Sequence, residues 1–212
     1  MCGRYGSGTD AETLARRFKV APAPGVAARW AIEPAQSAPV VFAAPERRMA
    51  LKAWGLVPAW AEGPAAKPQI NARAESLADK PYFREAFRWR RCLVPADGWF
   101  EKPKRGADKS MRWFSRRDGA AFAFAGLWEP SGFAIVTVEP NPLVARVHDR
   151  MPAVLSPDDE ELWLDPKAPP SRLSEALRPF PSDLLRVDSV GEPIADAPSA
   201  RAPIASPQGE LF

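Results

Sequence analysis

Apolar residues recur at helical spacing in several short stretches of the chain. Residues 9–12 have the spacing of a capping box, and the apolar positions that follow predict a helix over residues 10–19. Residues 81–88 predict a second helix with proline in its first turn. Residues 157–164 and 171–177 predict two further short helices.

Apolar and aromatic runs typical of β-strands fill much of the remaining chain. They cover residues 37–43, 47–56, 92–100, 111–115, 121–128 and 133–138. Asp118-Gly119 lies between two of these runs and is a strong hairpin signal. The prolines of residues 57–72 predict a rigid, irregular loop that carries Trp60, and residues 20–36 predict a surface segment.

Together these elements predict an α+β domain centred on antiparallel sheet with short peripheral helices. A length of 212 residues suits one domain, or a domain with a tail. Pro, Ala, Ser and Gly dominate beyond about residue 190. We therefore expect a catalytic domain over residues 1–190 and a loosely ordered tail over residues 191–212.

Scarce reactive side chains restrict the chemistry. The chain has one histidine and two cysteines, against 25 prolines and 8 tryptophans. These counts exclude four-cysteine or Cys₂His₂ zinc sites, three-histidine zinc, four-cysteine iron–sulfur clusters and a disulfide framework. We expect no metal and no cofactor.

The charge balance favours no partner strongly. There are 29 basic and 26 acidic residues, which give a net charge of +3 that is compatible with nucleic acid but does not demonstrate it. No apolar run reaches the ~18–20 residues that span a bilayer, and the first residues lack the apolar core of a secretion signal. We expect a soluble, monomeric, cytoplasmic protein with reduced thiols.

Cys2 is the most unusual placement in the sequence. Removal of Met1 would leave a terminal residue with an α-amine and a thiol on adjacent carbons, both partly nucleophilic near neutral pH. Such a pair condenses with an aldehyde to a Schiff base and then closes a thiazolidine ring. Gly3 and Arg4 next to it favour close backbone approach and an anionic ligand. The alternative is a cysteine in a frayed terminus.

Further polar residues follow the proline loop and an apolar strand. Asn71 and Arg73 point the same way if their segment is extended, so that Arg73 would grip a phosphate and Asn71 a substrate or the terminal amine. The alternative is a polar loop with a local Asn turn. Glu101 ends an aromatic strand, where a half-buried carboxylate suits acid–base chemistry and a solvated one would be inert.

One histidine and one tryptophan complete the candidate residues. His148 is the sole imidazole and either serves chemistry or is a structural histidine bonded to the backbone. Trp60 lies in the proline loop and could stack an unpaired base, whereas Trp113 and Trp128 are expected in the core.

Five segments in order resemble the SRAP (SOS-response-associated peptidase) family over roughly residues 2–165. They are Cys2-Gly3-Arg4, Trp54 to Trp60, Ile70 to Glu75, Cys92 to Glu101 and Val147 to Pro152. The resemblance implies a mainly antiparallel or mixed sheet that forms a distorted barrel-like core. It also implies a sensor of abasic sites in single-stranded DNA, whose terminal cysteine forms a stable thiazolidine with the ring-opened deoxyribose and shields the lesion.

Carried onto this chain, the resemblance assigns a role to each matching position. Cys2 would be the nucleophile after self-processing or aminopeptidase removal of Met1, and Asn71 would orient it. Glu101 and His148 would move protons during ring opening, Schiff-base formation and reversal. The implied DNA-binding residues are Arg4, Trp60, Arg73 and Arg150.

The departures from the family pattern bear on DNA affinity more than on chemistry. The family usually has a block like Tyr-Asn-Val-Ala-Pro where this chain reads residues 30–34, so that Ala31 removes a polar side chain and Glu33 adds a negative charge. Lys102 stands where an aromatic residue is common, and the chain beyond Val190 matches poorly. Two other functions stay open. One is a Cys/His peptidase that uses Cys2 or Cys92 with His148, and the other is a non-covalent single-strand binding module.

Overall fold

The structure of the protein is a computed structural model, which describes residues 2–43, 46–61, 63, 66–103, 110–192 and 196–201. Its strands are β1 (Tyr5–Ser7), β2 (Arg29–Ile32), β3 (Ser37–Phe42), β4 (Arg48–Ala53), β5 (Asn71–Arg73), β6 (Arg91–Ala96), β7 (Gly98–Glu101), β8 (Met111–Arg116), β9 (Phe122–Glu129), β10 (Gly132–Val138), β11 (Met151–Pro152), β12 (Val154–Leu155) and β13 (Leu185–Val190). Its α-helices are α1 (Ala11–Phe18), α2 (Pro81–Trp89), α3 (Pro142–Ala145), α4 (Pro157–Leu164) and α5 (Pro170–Ala176).

The described strands form two open sheets. One has the order β13-β8-β7-β1-β2, and the other runs β11-β10-β9-β6-β3-β4, with β12 on β9 and β5 on β10. All pairs of strands are antiparallel except β5 with β10. The expected α+β class with mainly antiparallel sheet and short helices is confirmed, and neither sheet closes on itself.

Aromatic side chains form the core that joins the two sheets. Tyr5 of β1 packs edge-to-face on Trp54 and on Phe124 of β9, with ring centroids 5.1 and 5.8 Å apart. Trp99 of β7 stacks on Phe114 of β8 at 5.1 Å. All five side chains are fully buried, so the two sheets share one continuous hydrophobic core.

The predicted strand over residues 92–100 is two strands, because the chain changes sheet at Asp97. β6 lies in the larger sheet and β7 in the smaller one. Gly98 follows the crossing, and a Cβ there would lie 2.2 Å from the carbonyl oxygen of Phe114. Only glycine therefore lets β7 approach β8 this closely.

The prediction of a β-hairpin at Asp118-Gly119 is wrong. A turn is present, since Gly119 has φ 70° and the Asp118 carboxylate accepts a hydrogen bond from the N–H of Ala120 at 3.0 Å. However, β8 pairs with β7 and β13, whereas β9 pairs with β6, β10 and β12. The turn therefore connects the two sheets instead of closing a hairpin.

The segment predicted to run over the surface contains strand β2. Its last residue, Ile32, is fully buried and pairs with Tyr5 of β1. The prediction failed because Pro and Ala dominate the sequence on both sides of this short strand. The first helix is confirmed, but its N-cap is Asp10, whose carboxylate accepts from the N–H of Thr13 at 2.9 Å.

Part of the expected tail is packed on the domain. Residues 193–195 and 202–212 lie outside the described residues. Asp196 accepts hydrogen bonds from the backbone of β2, and the guanidinium of Arg201 lies 4.8 Å from the ring of Trp30 and 4.4 Å from that of Trp113. Residues 196–201 therefore belong to the packed structure.

Candidate active site at the N-terminal cysteine

Cys2 lies in the interior, immediately before strand β1. Its side chain is fully buried, and its thiol lies 3.8 Å from the carbonyl oxygen of Arg4. The side-chain amide of Asn71 donates a hydrogen bond of 2.9 Å to the carbonyl oxygen of Cys2. Cys2 is therefore held in place rather than frayed, and the Asn71 side chain ties it to the larger sheet.

The surroundings of Cys2 disfavour its thiolate. Burial, and next to it the negative charge of Glu101, raise the pKa of the Cys2 thiol well above its ordinary value. The positive charge of the chain's α-amine acts in the opposite direction. The thiol is therefore protonated at neutral pH, and a nearby base would have to take its proton before it attacks.

Strand β5 carries Asn71 and Arg73 on one face of the sheet. It is extended and pairs in parallel with β10, with Asn71 opposite Ile135 and Arg73 opposite Thr137. Since alternate residues of a strand share a face, the two side chains point the same way. Arg73 is exposed and forms no ion pair among the described residues.

Thr137 is a candidate that sequence reasoning missed. It is fully buried on β10, in register with Arg73, and its hydroxyl lies 3.5 Å from the carbonyl oxygen of Ala72. The only signal in the sequence was a hydroxyl within an otherwise apolar run, and such a residue usually belongs to the core. The parallel pairing of β5 on β10 places it beside Asn71 and Arg73.

Glu101 ends strand β7 and is buried, with 4% of its surface exposed. It lies in register with Arg112 of β8. Its negative charge adds to burial in raising the pKa of the Cys2 thiol. The structure thus encloses this carboxylate instead of leaving it in solvent.

His148 is buried in the turn between α3 and β11. Its Nδ1 accepts a hydrogen bond of 3.1 Å from the N–H of Arg150, so a neutral ring carries its proton on Nε2. Nδ1 also lies 2.9 Å from a carboxylate oxygen of Asp149, which would accept a hydrogen bond from Nδ1 of a charged ring. Strand β10 pairs with β11, which directly follows the turn that carries His148, and also with β5, which carries Asn71. One strand therefore positions both residues.

Two of the arginines expected along the DNA path are held by carboxylates. Arg150 forms a bidentate pair with Glu75, at 2.7 and 3.0 Å, and also donates to the carbonyl oxygen of Thr137. The hydrogen bond from Arg150 to Glu75 holds the pKa of Glu75 below its ordinary value. Arg4 donates to Glu33 at 2.5 and 2.9 Å and to Glu192 at 2.9 Å. These ion pairs were not predictable from sequence, apart from the negative charge that Glu33 adds nearby.

Trp60 is exposed on the proline-rich loop, with 67% of its surface accessible. Its ring lies edge-on to that of Tyr82 from α2, at a centroid distance of 6.2 Å. The Tyr82 hydroxyl lies 3.1 Å from the carbonyl oxygen of Leu56 and 3.0 Å from that of Lys67. Tyr82 thus ties both ends of the loop to α2 and supports the exposed tryptophan.

The other strand residues considered in sequence lie in the core. Cys92 on β6 is fully buried, and burial raises the pKa of its thiol well above the ordinary value. Trp113 is buried and Trp128 is half-buried against the core. Among the described residues no cluster of three or more His, Cys, Asp or Glu is suited to a metal ion, and no helix there is long and apolar enough to cross a membrane.

The model of the SOS response associated peptidase (SRAP) family matches residues 1–197, and the chain belongs to this family. Abasic site processing protein YoqW of Bacillus subtilis is 31% identical over 219 aligned positions, which cover 96% of this chain and 97% of YoqW. Abasic site processing protein YedK of Escherichia coli is 35% identical over 119 positions, 52% of each chain.

Solved structures show the same fold. A protein from Bacteroides thetaiotaomicron superimposes with a TM-score of 0.81 at 24% identity, over 93% of this chain and 96% of its own. A protein from Bordetella bronchiseptica gives a TM-score of 0.74 at 27% identity, over 89% of this chain and 99% of its own. The SRAP fold expected from the sequence motifs is confirmed.

Proposed function

We propose that this protein processes abasic sites in single-stranded DNA by capturing the ring-opened sugar aldehyde on Cys2 after Met1 is removed. The single observation that carries the proposal is the enclosure of Cys2, whose backbone is fixed by Asn71 and whose thiol lies in the field of Glu101. Membership of a family whose relatives are named abasic site processing proteins supports it. The crosslink would shield the lesion during the response to DNA damage.

The chemistry of capture is a condensation without an oxidant or reductant. The α-amine of Cys2 adds to the aldehyde carbon, and loss of water gives a Schiff base. The thiol then adds to the same carbon, its proton passes to the nitrogen, and a five-membered thiazolidine forms. Because the pKa of the Cys2 thiol is raised, the amine attacks first and the thiol follows.

The second addition needs a group that moves the thiol proton, and Glu101 is suited to this task. Its buried carboxylate lies near the thiol, where it can accept the proton and later return it when the crosslink is reversed. His148 carries an N–H on Nε2 when its Nδ1 is bonded to Arg150, and it would donate this proton to the departing sugar oxygen. These roles also support an abasic-site lyase activity.

Arg73 and Trp60 are the residues best suited to hold the strand. Arg73 is exposed on the same strand face as Asn71 and forms no close ion pair among the described residues, although its charge helps to lower the pKa of Glu75. It would bind a phosphate next to the lesion. Trp60 presents a ring supported by Tyr82 on which an unpaired base would stack. Arg4 and Arg150 would contribute after exchanging carboxylates for phosphates.

A second candidate function is proteolysis that starts from Cys2. The raised pKa of its thiol opposes a general cysteine peptidase, which needs a reactive thiolate. Cys92 is equally enclosed. Self-processing to remove Met1 remains part of the proposal, together with a cytoplasmic, nucleoid-associated location. A non-covalent binding module would leave the enclosure of Cys2 without a purpose.

The test is a crosslinking assay with the mature protein and a single-stranded oligonucleotide that carries one abasic site. We expect a heat-stable band of protein joined to DNA on a denaturing gel, and none with an oligonucleotide that lacks the abasic site. Cys2→Ala should abolish the band. Cys92→Ala is the matched control, since it removes the other buried thiol and should leave the band in place.

Two outcomes would contradict the proposal. A free abasic strand in the wild-type lane would exclude covalent capture, and a band that survives in Cys2→Ala would assign the linkage to another residue. Mass spectrometry of the crosslinked peptide checks the balance of the reaction. The adduct should retain the sugar carbons and lack one water relative to its two parts.

A further inference from the structure

Two carboxylates near the C-terminal end of the described residues, Glu192 and Asp196, form ion pairs with basic side chains of the domain. Glu192 accepts a hydrogen bond from Arg4 at 2.9 Å and lies 3.6 Å from the ammonium of Lys102. The bond from Arg4 holds the pKa of Glu192 below its ordinary value, so this carboxylate is charged at neutral pH. We call residue 192 together with residues 196–201 the C-terminal strap.

A second carboxylate of the strap, that of Asp196, binds backbone N–H groups of strand β2. Asp196 accepts from the N–H groups of Trp30 and Ala31, the latter at 2.9 Å, and pairs with the guanidinium of Arg29. Two neighbouring N–H groups beside an arginine form a cradle for an anion. Its present ligand is the carboxylate of Asp196.

Arg201 anchors the strap to the domain. Its guanidinium lies between the rings of Trp30 and Trp113, at 4.8 and 4.4 Å from their centroids. It also donates to the Asp97 carboxylate at 3.0 Å. Stacking between two aromatic rings and a partly buried ion pair are the contacts that hold this arginine in one place.

A carboxylate and a phosphodiester compete for the same partners. Each offers anionic oxygens to guanidinium, ammonium and backbone N–H groups. Arg4 is also the residue whose carbonyl oxygen lies next to the Cys2 thiol, so the cationic face and the reactive residue share one segment. A strand that delivers an abasic site to Cys2 therefore meets Arg4 with Glu192 already bound.

We propose that the C-terminal strap is a built-in competitor of nucleic acid, with Glu192 and Asp196 occupying positions that backbone phosphates of single-stranded DNA take when it binds. This inference rests on the proposed function for the identity of the ligand. The strap lowers affinity for intact single strands, and an abasic strand overcomes it because the covalent step follows.

The contacts are suited to a reversible switch. The side chain of Glu192 is 53% exposed, and exposed ion pairs contribute little each. Release of one such carboxylate is therefore expected to tighten DNA binding by about two- to fivefold. Ala31 and Lys102, which depart from the family pattern, both contact the strap, through the backbone N–H and the ammonium respectively.

The test measures reversible binding of a labelled single-stranded oligonucleotide without an abasic site, by fluorescence anisotropy at low salt. The variants are Glu192→Gln, Asp196→Asn and Arg201→Gln in the full chain. Glu175→Gln is the matched control, because it changes the net charge by the same amount and also releases an arginine, Arg172, elsewhere on the surface. Thermal unfolding checks that each variant is folded.

We expect Glu192→Gln and Asp196→Asn to bind about two- to fivefold more tightly than both wild type and Glu175→Gln. Arg201→Gln distinguishes release of the strap from a simple effect of net charge most sharply. Loss of a positive charge alone would weaken DNA binding, whereas release of the strap strengthens it. If Arg201→Gln does not fold, the two carboxylate variants decide the matter.

Equal affinities for Glu192→Gln, Asp196→Asn and the Glu175→Gln control would overturn the inference, as would weaker binding by folded Arg201→Gln. Binding undetectable in every protein would overturn it too. The proposed function fails separately. In that case wild type forms no crosslink with an abasic strand, whether or not the strap variants bind intact strands more tightly.

Discussion

Removal of the Asn71 side chain tests whether the position of Cys2 limits the reaction. The amide of Asn71 donates at 2.9 Å to the carbonyl oxygen of Cys2, a residue with no solvent exposure. A buried acceptor that loses its partner costs about 1–3 kcal/mol. Asn71 itself is half-buried, so water reaches part of the space it leaves, and we take about 1–2 kcal/mol for Asn71→Ala.

The same free energy sets the expected change in rate. If the lost bond is needed to hold Cys2 in its reactive position, about 1–2 kcal/mol corresponds to crosslinking about 5- to 30-fold slower. The melting temperature should fall by about 2–8 °C, since 1 kcal/mol shifts a domain of this size by about 2–4 °C. Slow crosslinking with a small loss of stability is therefore the expected result.

The assay is single-turnover crosslinking with DNA in excess, quenched at intervals and resolved on a denaturing gel. Asn141→Ala is the matched control. That asparagine is also buried and bonds to the backbone of Val144 and Phe180, but it makes no contact with Cys2. It should destabilise the fold at least as much and leave the rate unchanged. An Asn71→Ala rate equal to wild type, or reduced no more than in Asn141→Ala, would refute the positioning role.

Three further predictions concern charge. Arg73→Ala should weaken binding of single strands and lower the slope of log affinity against log salt by about 0.7, and an unaltered slope would remove Arg73 from the phosphate contacts. Glu101→Gln should slow crosslink formation or reversal, and unchanged rates in both directions would indicate a structural glutamate. The same variant should shift the pH dependence of Cys2 alkylation to lower pH, because it removes a negative charge that raises the pKa of the thiol. Burial raises the pKa of Glu160 despite its pair with Arg17, so the native state binds this proton more readily than the unfolded chain does. Its contribution to stability is present below the unfolded pKa, about 4.3, and is lost as pH rises through the raised value. Chemical denaturation across this range should show that loss in wild type and not in Glu160→Gln.

Local sequence patterns gave most of the helices and the longer strands. Helices α1, α2 and α4 begin within a residue of their expected starts, because proline or a capping residue marks each N-terminus. The strands β3, β9 and β10 follow apolar runs long enough to be recognised. In each case the signal lies within the element itself.

Short strands and connections between sheets were not predictable in the same way. Strand β1 has three residues and β2 has four, which is too few for a periodic pattern. The turn at Asp118-Gly119 has the local chemistry of a hairpin, but the partners of β8 and β9 were decided by packing elsewhere. Turn residues specify a bend of the chain and do not specify which strands pair after it.

The sequence by itself determined the inventory of chemistry: a cysteine at position 2, one imidazole, and an acidic residue at the end of an aromatic strand. Only the tertiary structure decided which of these groups meet. Asn71 reaches Cys2 across 69 residues, and Glu192 reaches Arg4 across 188. Such contacts depend on the pairing of strands far apart in the chain. No local pattern encodes that pairing, since it follows from burying both sheets around one core.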